Sequence, residues 1–310
     1  MFHHFHDEKI HSKSQGSISK DDFYSIIKFI GQKNIIDADQ FFLKFKENKL
    51  KKNDVCLTFD DGIKCQIDVA LPILEDLKIK SFFFSYSSLL TDKPDFLEIY
   101  RYFRVNYFKN IDEFYTEFYK VLDVRLDNFF ESNTKNIKNM MIKFPLYSLN
   151  DVKFRLVRDN LINKKKYEKT MSIMFKEKKF VPNKFFNNLF FNNNDLIKLH
   201  SLGHLIGLHS HSHPTSIEKL SYESQKEEYQ KNMDILSEIL NIQKSDIKFM
   251  SHPCGSYNND TLEILKSLGI ELGFKQIMTI ESKKGMKKIN NSRLEIARQD
   301  HSDIIKMINR

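Results

Sequence analysis

Five short apolar runs, separated by segments with helical periodicity, constrain the fold of this chain more than any other feature. The runs are residues 54–59, 80–86, 204–208, 247–250 and 270–274. Compact apolar runs of this length are typical of buried strands. Between the first two runs, apolar residues recur at the spacing of one helix face, at Ile67, Leu71, Leu74 and Leu77. A strand, a helix and a second buried strand form a βαβ unit with parallel strands, so the sequence predicts an α/β protein.

Residues from about 93 to 190 interrupt this alternation. Long charged and aromatic segments such as residues 113–130 contain no obvious strand. We therefore expect one domain over residues 1–310, interrupted by a mostly helical insertion at about 93–190. Elsewhere, periodicity predicts a helix opened by a Ser19–Asp22 cap and helices over 222–240 and 258–268. The asparagines at 192–194 are predicted to cap a helix that enters at Asp195.

Composition disfavours several classes of protein. The formal charge of +8 accompanies an abundance of Lys, Asn, Ile and Phe that is typical of AT-rich codon usage, and the basic residues have acidic neighbours. Nucleic-acid binding is therefore not predicted. Three cysteines without paired spacing argue against a disulfide framework, residues 1–9 lack the apolar core of a secretory signal, and no run approaches the roughly 18 apolar residues of a membrane span. We expect a cytoplasmic protein without a membrane span.

Polar side chains follow three of the predicted strands, at the edge where active sites of parallel α/β proteins gather. Asp60 and Asp61 follow the first strand, and His209 and His213 follow the third. Two adjacent carboxylates stay ionised only beside positive charge, usually a cation. An isolated Asp-Asp-Gly is also typical of a surface turn, but here an apolar strand precedes it. Asp61, His209 and His213 are therefore predicted metal ligands, which meet if the backbone turns, and Asp60 is a predicted general base.

A third polar segment, Pro253-Cys254-Gly255, follows the fourth apolar run. Its glycine permits a close approach of the backbone, and the amide of Cys254 is a candidate donor to an oxyanion. The Cys254 thiol is an alternative nucleophile, although the sequence does not indicate the lowered pKa that this role needs.

These three segments carry a family resemblance. Residues 58–62 (TFDDG), 207–214 (GLHSHSHP) and 252–257 (HPCGSY) resemble, in the same order, the signature segments of the polysaccharide deacetylase family, also called the NodB-homology or carbohydrate esterase family 4 domain. The resemblance covers roughly residues 1–90 and 195–305. It implies a distorted (β/α)7-type barrel that binds a divalent metal through the Asp-His-His set. Asp60 is then the base that activates water. The residues expected to stabilise the oxyanion or bind the substrate are Pro253, Cys254, Tyr257 and Asp300.

Two positions depart from the commoner family pattern. Ser251 stands where many members carry the arginine that orients the base. Residues 296–300 (IARQD) resemble the Arg-x-Asp segment of a branch that lacks the earlier arginine, so Arg298 is predicted to steady Asp60. The usual C-terminal Leu-x-His segment is absent, whereas residues 2–5 (FHHF) resemble an N-terminal strand of some members. His3 is therefore the expected general acid, with His4 as the alternative.

The resemblance implies removal of an acetyl group from an amino sugar, with a small, nucleotide-linked or carrier-linked glycan precursor as the expected substrate. Two other functions remain open: a catalytically inactive carbohydrate-binding protein of the same fold, and a metal-dependent amidase that acts on a different C–N amide. Zn is the default expectation for the metal, and Co, Ni, Fe or Mn also suit an Asp-His-His site.

Overall fold

The computed structural model describes residues 1–91, 94–143, 147–276, 281–283, 286–288 and 292–309. The chain divides into two compact units: Met1–Asp95 together with Asn187–Arg310, and Phe96–Phe186. The second unit agrees with the position of the predicted insertion, whose expected start at residue 93 lies outside the described residues. That the whole chain acts as one domain stays a prediction.

A parallel sheet forms the centre of the first unit. Its described strands are β1 (Thr58–Asp60), β2 (Phe82–Ser85), β3 (Leu205–Leu208), β4 (Phe249–Ser251) and β5 (Leu272–Phe274), hydrogen-bonded in that order. At one edge Phe2 forms a parallel bridge with Phe59, and at the other Ile296 forms one with Phe274. The five strands and the two bridging segments thus lie side by side as seven neighbours. This arrangement confirms the predicted fold class of a distorted (β/α) barrel.

The two outermost segments are joined by hydrogen bonds. The Met1 amino group donates to the carbonyl oxygen of Gln299 at 2.9 Å. The amide of His301 donates to the carbonyl oxygen of Met1 at 3.2 Å. Residues from near both ends of the sequence therefore lie together, beside the first strand of the sheet.

The helices occupy the connections between these strands and nearly all of the second unit. In chain order they are α1 (Lys20–Ile30), α2 (Ala38–Lys46), α3 (Leu71–Asp76), α4 (Leu97–Asn106), α5 (Ile111–Leu122), α6 (Asp127–Ser132), α7 (Thr134–Lys143), α8 (Leu149–Leu156), α9 (Lys164–Glu177), α10 (Phe186–Leu189), α11 (Asn193–Ser201), α12 (Tyr222–Leu240), α13 (Asn259–Ser267) and α14 (His301–Ile308). Two further strands, β6 (Glu281–Lys283) and β7 (Met286–Lys288), form an antiparallel pair that the sequence did not predict. None of the described helices has the length and apolar composition needed to cross a membrane.

The predicted helix starts are present. The Ser19 hydroxyl accepts from the amide of Asp22 at 3.1 Å, and the Asp22 carboxylate accepts from the amide of Ser19 at 2.8 Å. Asn192 and Asp195 form the same reciprocal pair at the start of α11. Each pair satisfies two amides that the helix itself leaves unbonded.

The sheet is buried on both faces by aromatic side chains. Phe82 and Phe84 of β2 pack with Phe249 and Phe274 on one face. Phe83 points to the other face and stacks on Phe59 at 4.6 Å between ring centroids. Because side chains alternate along a strand, Thr58 and Asp60 lie on the face opposite to Phe59.

The second unit has its own aromatic core. Within the described residues from 94 to 186 there are helices and no strand, as the sequence predicts. Its buried aromatic residues pack edge to face or at a tilt, among them Phe103, Phe114, Phe118, Phe154, Phe175 and Phe180.

Candidate active site

The carboxyl ends of β1, β3 and β4 bring the predicted site residues into one region of the first unit. Asp60 is the last residue of β1, whereas Asp61 begins a turn and has a φ of +79°. Gly62 continues the turn with a φ of +64°, and a Cβ there would lie 2.4 Å from the Ser85 hydroxyl oxygen. The abrupt turn makes the two carboxylates face different neighbours, as the sequence predicts.

Asp61 faces the two histidines. Its Oδ1 lies 3.0 Å from Nε2 of His209 and 3.2 Å from Nε2 of His213, and all three residues are buried. His213 has a φ of +51°, so the backbone turns as the predicted ligand set requires. Burial would raise the pKa of Asp61, but the nearby rings of His209 and His213 hold that pKa well below its usual range.

This buried Asp-His-His cluster fits a divalent metal ion. Nδ1 of His209 lies 2.8 Å from the carbonyl oxygen of Ser251, which can only accept, so Nδ1 is the nitrogen that carries the proton when the ring binds a metal through Nε2. Its Nε2 then presents a lone pair toward an Asp61 oxygen that also carries lone pairs. A cation bound between these atoms would relieve their repulsion, and one carboxylate with two imidazoles is a donor set that suits Zn and its neighbours.

Helix α12 holds the histidine loop. The Glu228 carboxylate accepts from the amides of His211 and Ser212 at 2.9 and 2.7 Å, and from the Ser212 hydroxyl at 2.7 Å. One turn along the helix, the fully buried Asn232 accepts from the His209 amide at 2.8 Å and donates to the Ser85 carbonyl oxygen at 3.1 Å. Sequence reasoning missed both residues. An acid and an amide four apart look like the solvent face of any helix.

Asp60 forms a buried two-point ion pair with Arg298. Nη1 and Nη2 of Arg298 donate to Oδ1 and Oδ2 of Asp60 at 2.7 and 2.6 Å. Burial on its own would raise the pKa of Asp60, but the charge and hydrogen bonds of Arg298 lower it to about 2. Arg298 lies where its predicted role requires.

Other contacts hold the guanidinium in place. Its Nε donates to the Lys275 carbonyl oxygen at 2.6 Å, and its Nη2 donates to the Ser251 hydroxyl at 2.7 Å. Ser251 in turn donates to Asp60 at 3.0 Å. Ser251 thus links the guanidinium and the carboxylate at the position where the family resemblance led us to look for an arginine.

His3, the expected general acid, also lies near Asp60. Nε2 of His3 is 3.8 Å from Oδ2 of Asp60, and 21% of the His3 side chain is exposed. His4 packs its ring against His3, with 6.4 Å between centroids. Asp300 caps helix α14 by accepting from the amide of Ser302 at 2.8 Å, and His3, Asp300 and His301 offer donor atoms within 4.8 Å of one another.

The segment after β4 forms a single tight turn. Pro253 is buried, whereas Cys254 is exposed and has a φ of +52°. The ring of Tyr257 stacks on His252 at 4.2 Å between centroids, and its hydroxyl donates to Glu295 at 3.0 Å. Burial lowers the pKa of His252 to about 4, so this ring is neutral near pH 7. The roles of Cys254, Pro253 and Tyr257 stay predictions.

Comparisons with known proteins agree with this arrangement. The family model for polysaccharide deacetylase matches residues 47–102 and 163–273, more than half of the chain. The matched residues include Asp60, Asp61, His209 and His213, and leave His3 and Arg298 outside. No curated protein sequence gives a significant match.

Several solved structures share the fold at low sequence identity. The Streptococcus pyogenes deacetylase PplD in complex with acetate is 16% identical, with a TM-score of 0.55 over 99% of this chain and 96% of that one. IcaB from Ammonifex degensii is 12% identical, with a TM-score of 0.55 over 99% of this chain and 93% of that one. A de-N-acetylase from Aggregatibacter actinomycetemcomitans is 14% identical, with a TM-score of 0.55 over 99% of this chain and 97% of that one.

Proposed function

This chain belongs to the polysaccharide deacetylase family, and we propose that its Asp60–Asp61–His209–His213 site removes acetyl groups with the help of a divalent metal ion. Family membership makes the chain a hydrolase of carbon–nitrogen bonds other than peptide bonds, whose reaction is the de-N-acetylation of a sugar. We further propose a small, nucleotide-linked or carrier-linked sugar as the substrate and the cytoplasm as the location. The observation that carries the proposal is the separation of the two carboxylates, with Asp61 on the histidines and Asp60 on Arg298.

Asp61, His209 and His213 would hold the metal. Zn is the default choice, with Co, Ni, Fe or Mn compatible. When bound there, the ion would supply Lewis acidity to the amide carbonyl and to the attacking water. The His209 contact to the Ser251 carbonyl keeps the Nε2 lone pair directed at this position.

Asp60 is the proposed general base. Arg298 keeps the carboxylate ionised and fixes the orientation of both oxygens, because each oxygen accepts from one guanidinium nitrogen. The water that attacks the acetamide carbon would lose a proton to Asp60. We assign the Cys254 amide to the developing oxyanion, and Pro253, Tyr257 and Asp300 to the substrate-binding surroundings.

His3 is the proposed general acid, with His4 as the alternative. The departing amine needs a proton when the carbon–nitrogen bond breaks, and His3 lies beside Asp60 with part of its ring exposed. The products are acetate and a free amino sugar. PplD, of the same fold, was solved with acetate, which is the product expected here.

The experiment measures acetate release from a panel of N-acetyl sugar nucleotides, lipid-linked N-acetyl sugars and chitooligosaccharides, together with metal content. Asp60→Asn should keep the metal and lose at least about 100-fold in turnover, the typical contribution of general base catalysis. A protein that binds the sugars but leaves them intact is instead a carbohydrate-binding protein. Turnover of a non-sugar amide alone would assign a different amidase, and undiminished turnover by Asp60→Asn would remove Asp60 as the base.

A further inference from the structure

The net positive charge of this protein comes entirely from its second unit. The whole chain has 49 basic and 41 acidic residues, a formal charge of +8. Residues 96–186 contain 19 of the basic and 11 of the acidic residues, which is also a formal charge of +8. The first unit, which carries the candidate active site, therefore has 30 of each and a formal charge of zero.

Codon bias does not explain this division, because a compositional bias acts on both units. Helix α12 of the first unit provides an internal comparison, since it is a long surface helix of the same chain. It has two lysines and five acidic residues. Helix α9 of the second unit has five lysines, at 164–166, 169 and 176, against two glutamates. The two helices thus differ in the sign of their charge.

The lysines of α9 lie on its solvent face. Positions 165, 169 and 176 share one side at 3.6 residues per turn, opposite the buried side of Tyr167, Met171 and Met174. Lys165, Lys169 and Lys176 are exposed. Among the described residues, none of these three lysines makes an ion pair. We call Lys165, Lys169 and Lys176 the α9 lysine row.

The position of lysines at the start of α9 is unfavourable for the helix itself. Lys164, Lys165 and Lys166 occupy its first turn, which contains no acidic residue. The amino end of a helix carries partial positive charge, so cations there destabilise it. Lys164 pairs with Glu168 at 3.9 Å, but the helix dipole gives no reason for Lys165 and Lys166.

Exposed aliphatic side chains accompany the lysines. Ile173 lies on α9 between Lys169 and Lys176 and is 39% exposed. Leu161 just before the helix and Val181 just after it are 36% and 47% exposed. Lysines interspersed with exposed aliphatic residues are typical of surfaces that rest on an anionic bilayer.

A nucleic acid would be recognised by different residues, namely exposed aromatic rings and arginines. In this unit the large aromatic side chains form the core. Four of its five arginines make contacts within the unit: Arg101 pairs with Glu98, Arg104 lies over Phe114 and Phe154, Arg155 lies over Tyr147, and Arg158 pairs with Asp159. Apart from Arg125, the exposed cations among the described residues of this unit are lysines, which act as hydrated point charges.

We propose that the second unit docks this protein on an anionic phospholipid surface through the α9 lysine row. The attraction is electrostatic, and Ile173 contacts the interface. The proposal is independent of the deacetylase function, because it concerns only the helical unit. It gives that unit a function in locating the protein.

The test is sedimentation of the full chain with vesicles of phosphatidylcholine alone and of phosphatidylcholine with about a third phosphatidylglycerol. We expect binding to the anionic vesicles that weakens steeply with salt, and little binding to the neutral ones. A lysine near an anionic membrane contributes roughly a fivefold gain in partition. Changing Lys165, Lys169 and Lys176 together to Gln should therefore lower partition about 100-fold.

The matched control changes three exposed lysines of the first unit, Lys28, Lys33 and Lys52, to Gln, with the same loss of charge. This variant should keep nearly all of the binding. Circular dichroism and the melting temperature should stay unchanged in both variants, since none of the six lysines makes an ion pair among the described residues.

Three results would overturn the proposal: no binding to anionic vesicles at low salt, equal binding to neutral vesicles, or equal losses in the two triple variants. Tighter binding to heparin or to single-stranded DNA than to vesicles at the same salt would also overturn it, because the surface would then be a site for a soluble polyanion.

Discussion

Replacing Arg298 with Met tests the electrostatic account of Asp60 most directly. The change keeps an unbranched side chain near the rings of Phe84 and Phe274, which lie 6.0 and 5.9 Å from the guanidinium carbon. It removes the two hydrogen bonds and the charge that hold the Asp60 carboxylate ionised. Asp60 is 2% exposed, so little solvent is available to compensate for the lost charge.

The magnitude follows from the pKa of Asp60. This pKa is about 2 in the folded protein, whereas an unfolded chain has about 3.9. Because the pKa of Asp60 is lower in the folded protein than in the unfolded chain, the ionised Asp60 carboxylate stabilises the fold above about pH 4. This stabilisation is lost as the pH falls toward 2. The difference corresponds to about 2 to 3 kcal/mol. With Arg298 gone, burial alone raises the Asp60 pKa, and an unpaired buried carboxylate costs about 3 to 5 kcal/mol at pH 7.

The pH dependence distinguishes charge from packing. In Arg298→Met, Asp60 can take up a proton as the pH falls, which relieves the cost of its burial. The difference in free energy of opening between wild type and variant should therefore shrink by about 2 kcal/mol or more between pH 7 and pH 4. Hydrogen exchange of peptides from residues 54–62, in metal-free protein, measures this free energy at β1 itself.

A second variant completes the test. Adding Asp60→Asn to Arg298→Met removes the unpaired charge, so most of the lost stability should return at pH 7. If the loss is the same at pH 7 and pH 4, or if Asp60→Asn restores nothing, then Arg298 acts through packing and the assigned ion-pair energy is wrong.

Three further predictions concern the metal, the sheet and a buried histidine. Asp61→Asn should weaken Zn binding at least about 100-fold, and Glu228→Gln about 10-fold because it loosens the histidine loop. Titration calorimetry measures both, and equal Zn affinities in the wild type and the two variants would contradict the ligand assignment. Gly207→Ala should cost about 1 to 3 kcal/mol of stability in thermal unfolding, because its Cβ would lie 2.6 Å from the Phe249 carbonyl oxygen; an unchanged melting temperature would show that the strands can separate. Burial lowers the pKa of His204 to about 4, so the unfolded chain binds a proton first and stability should fall by about 3 kcal/mol from pH 6.5 to pH 4; His204→Gln should remove that part of the slope in urea unfolding.

The parallel sheet could be predicted from the sequence because each strand is a compact apolar run between turn residues. The residues at which each strand begins and ends could not be predicted. The run at residues 54–59 suggested one strand, but pairing begins at Thr58, and Val55 instead forms an isolated bridge with Ile35. Which residues of an apolar run form ladder hydrogen bonds depends on their neighbours in space.

The helix predicted over residues 65–78 also differs in detail. The structure has a π-helical segment, Gln66–Ala70, before α3 begins at Leu71. Pro72 has no amide hydrogen to donate one turn back, which favours a change of helical geometry at this point. Apolar periodicity shows the buried face of a helix but not the hydrogen-bond pattern along it.

For the candidate site, the sequence showed which residue types were available and the family resemblance suggested their partners. The Asp61 and histidine cluster was predictable because strand ends of a parallel sheet converge. The two-point contact of Arg298 with Asp60 was expected only by resemblance, since 238 positions separate the two residues. Glu228 and Asn232 could not be found, because nothing in their local sequence distinguishes them from ordinary polar helix residues.

Because the outermost sheet segments come from opposite ends of the sequence, the parts of the candidate site are not completed at the same time during synthesis. A chain synthesised as far as β5 already contains Asp61, His209 and His213, but Asp60 then lacks the guanidinium that stabilises its charge. Contacts between residues so distant in sequence form late, because closing a long loop costs entropy before any contact compensates it. During synthesis, the proposed metal ligands are therefore all present before Asp60, the proposed base, has its partner Arg298.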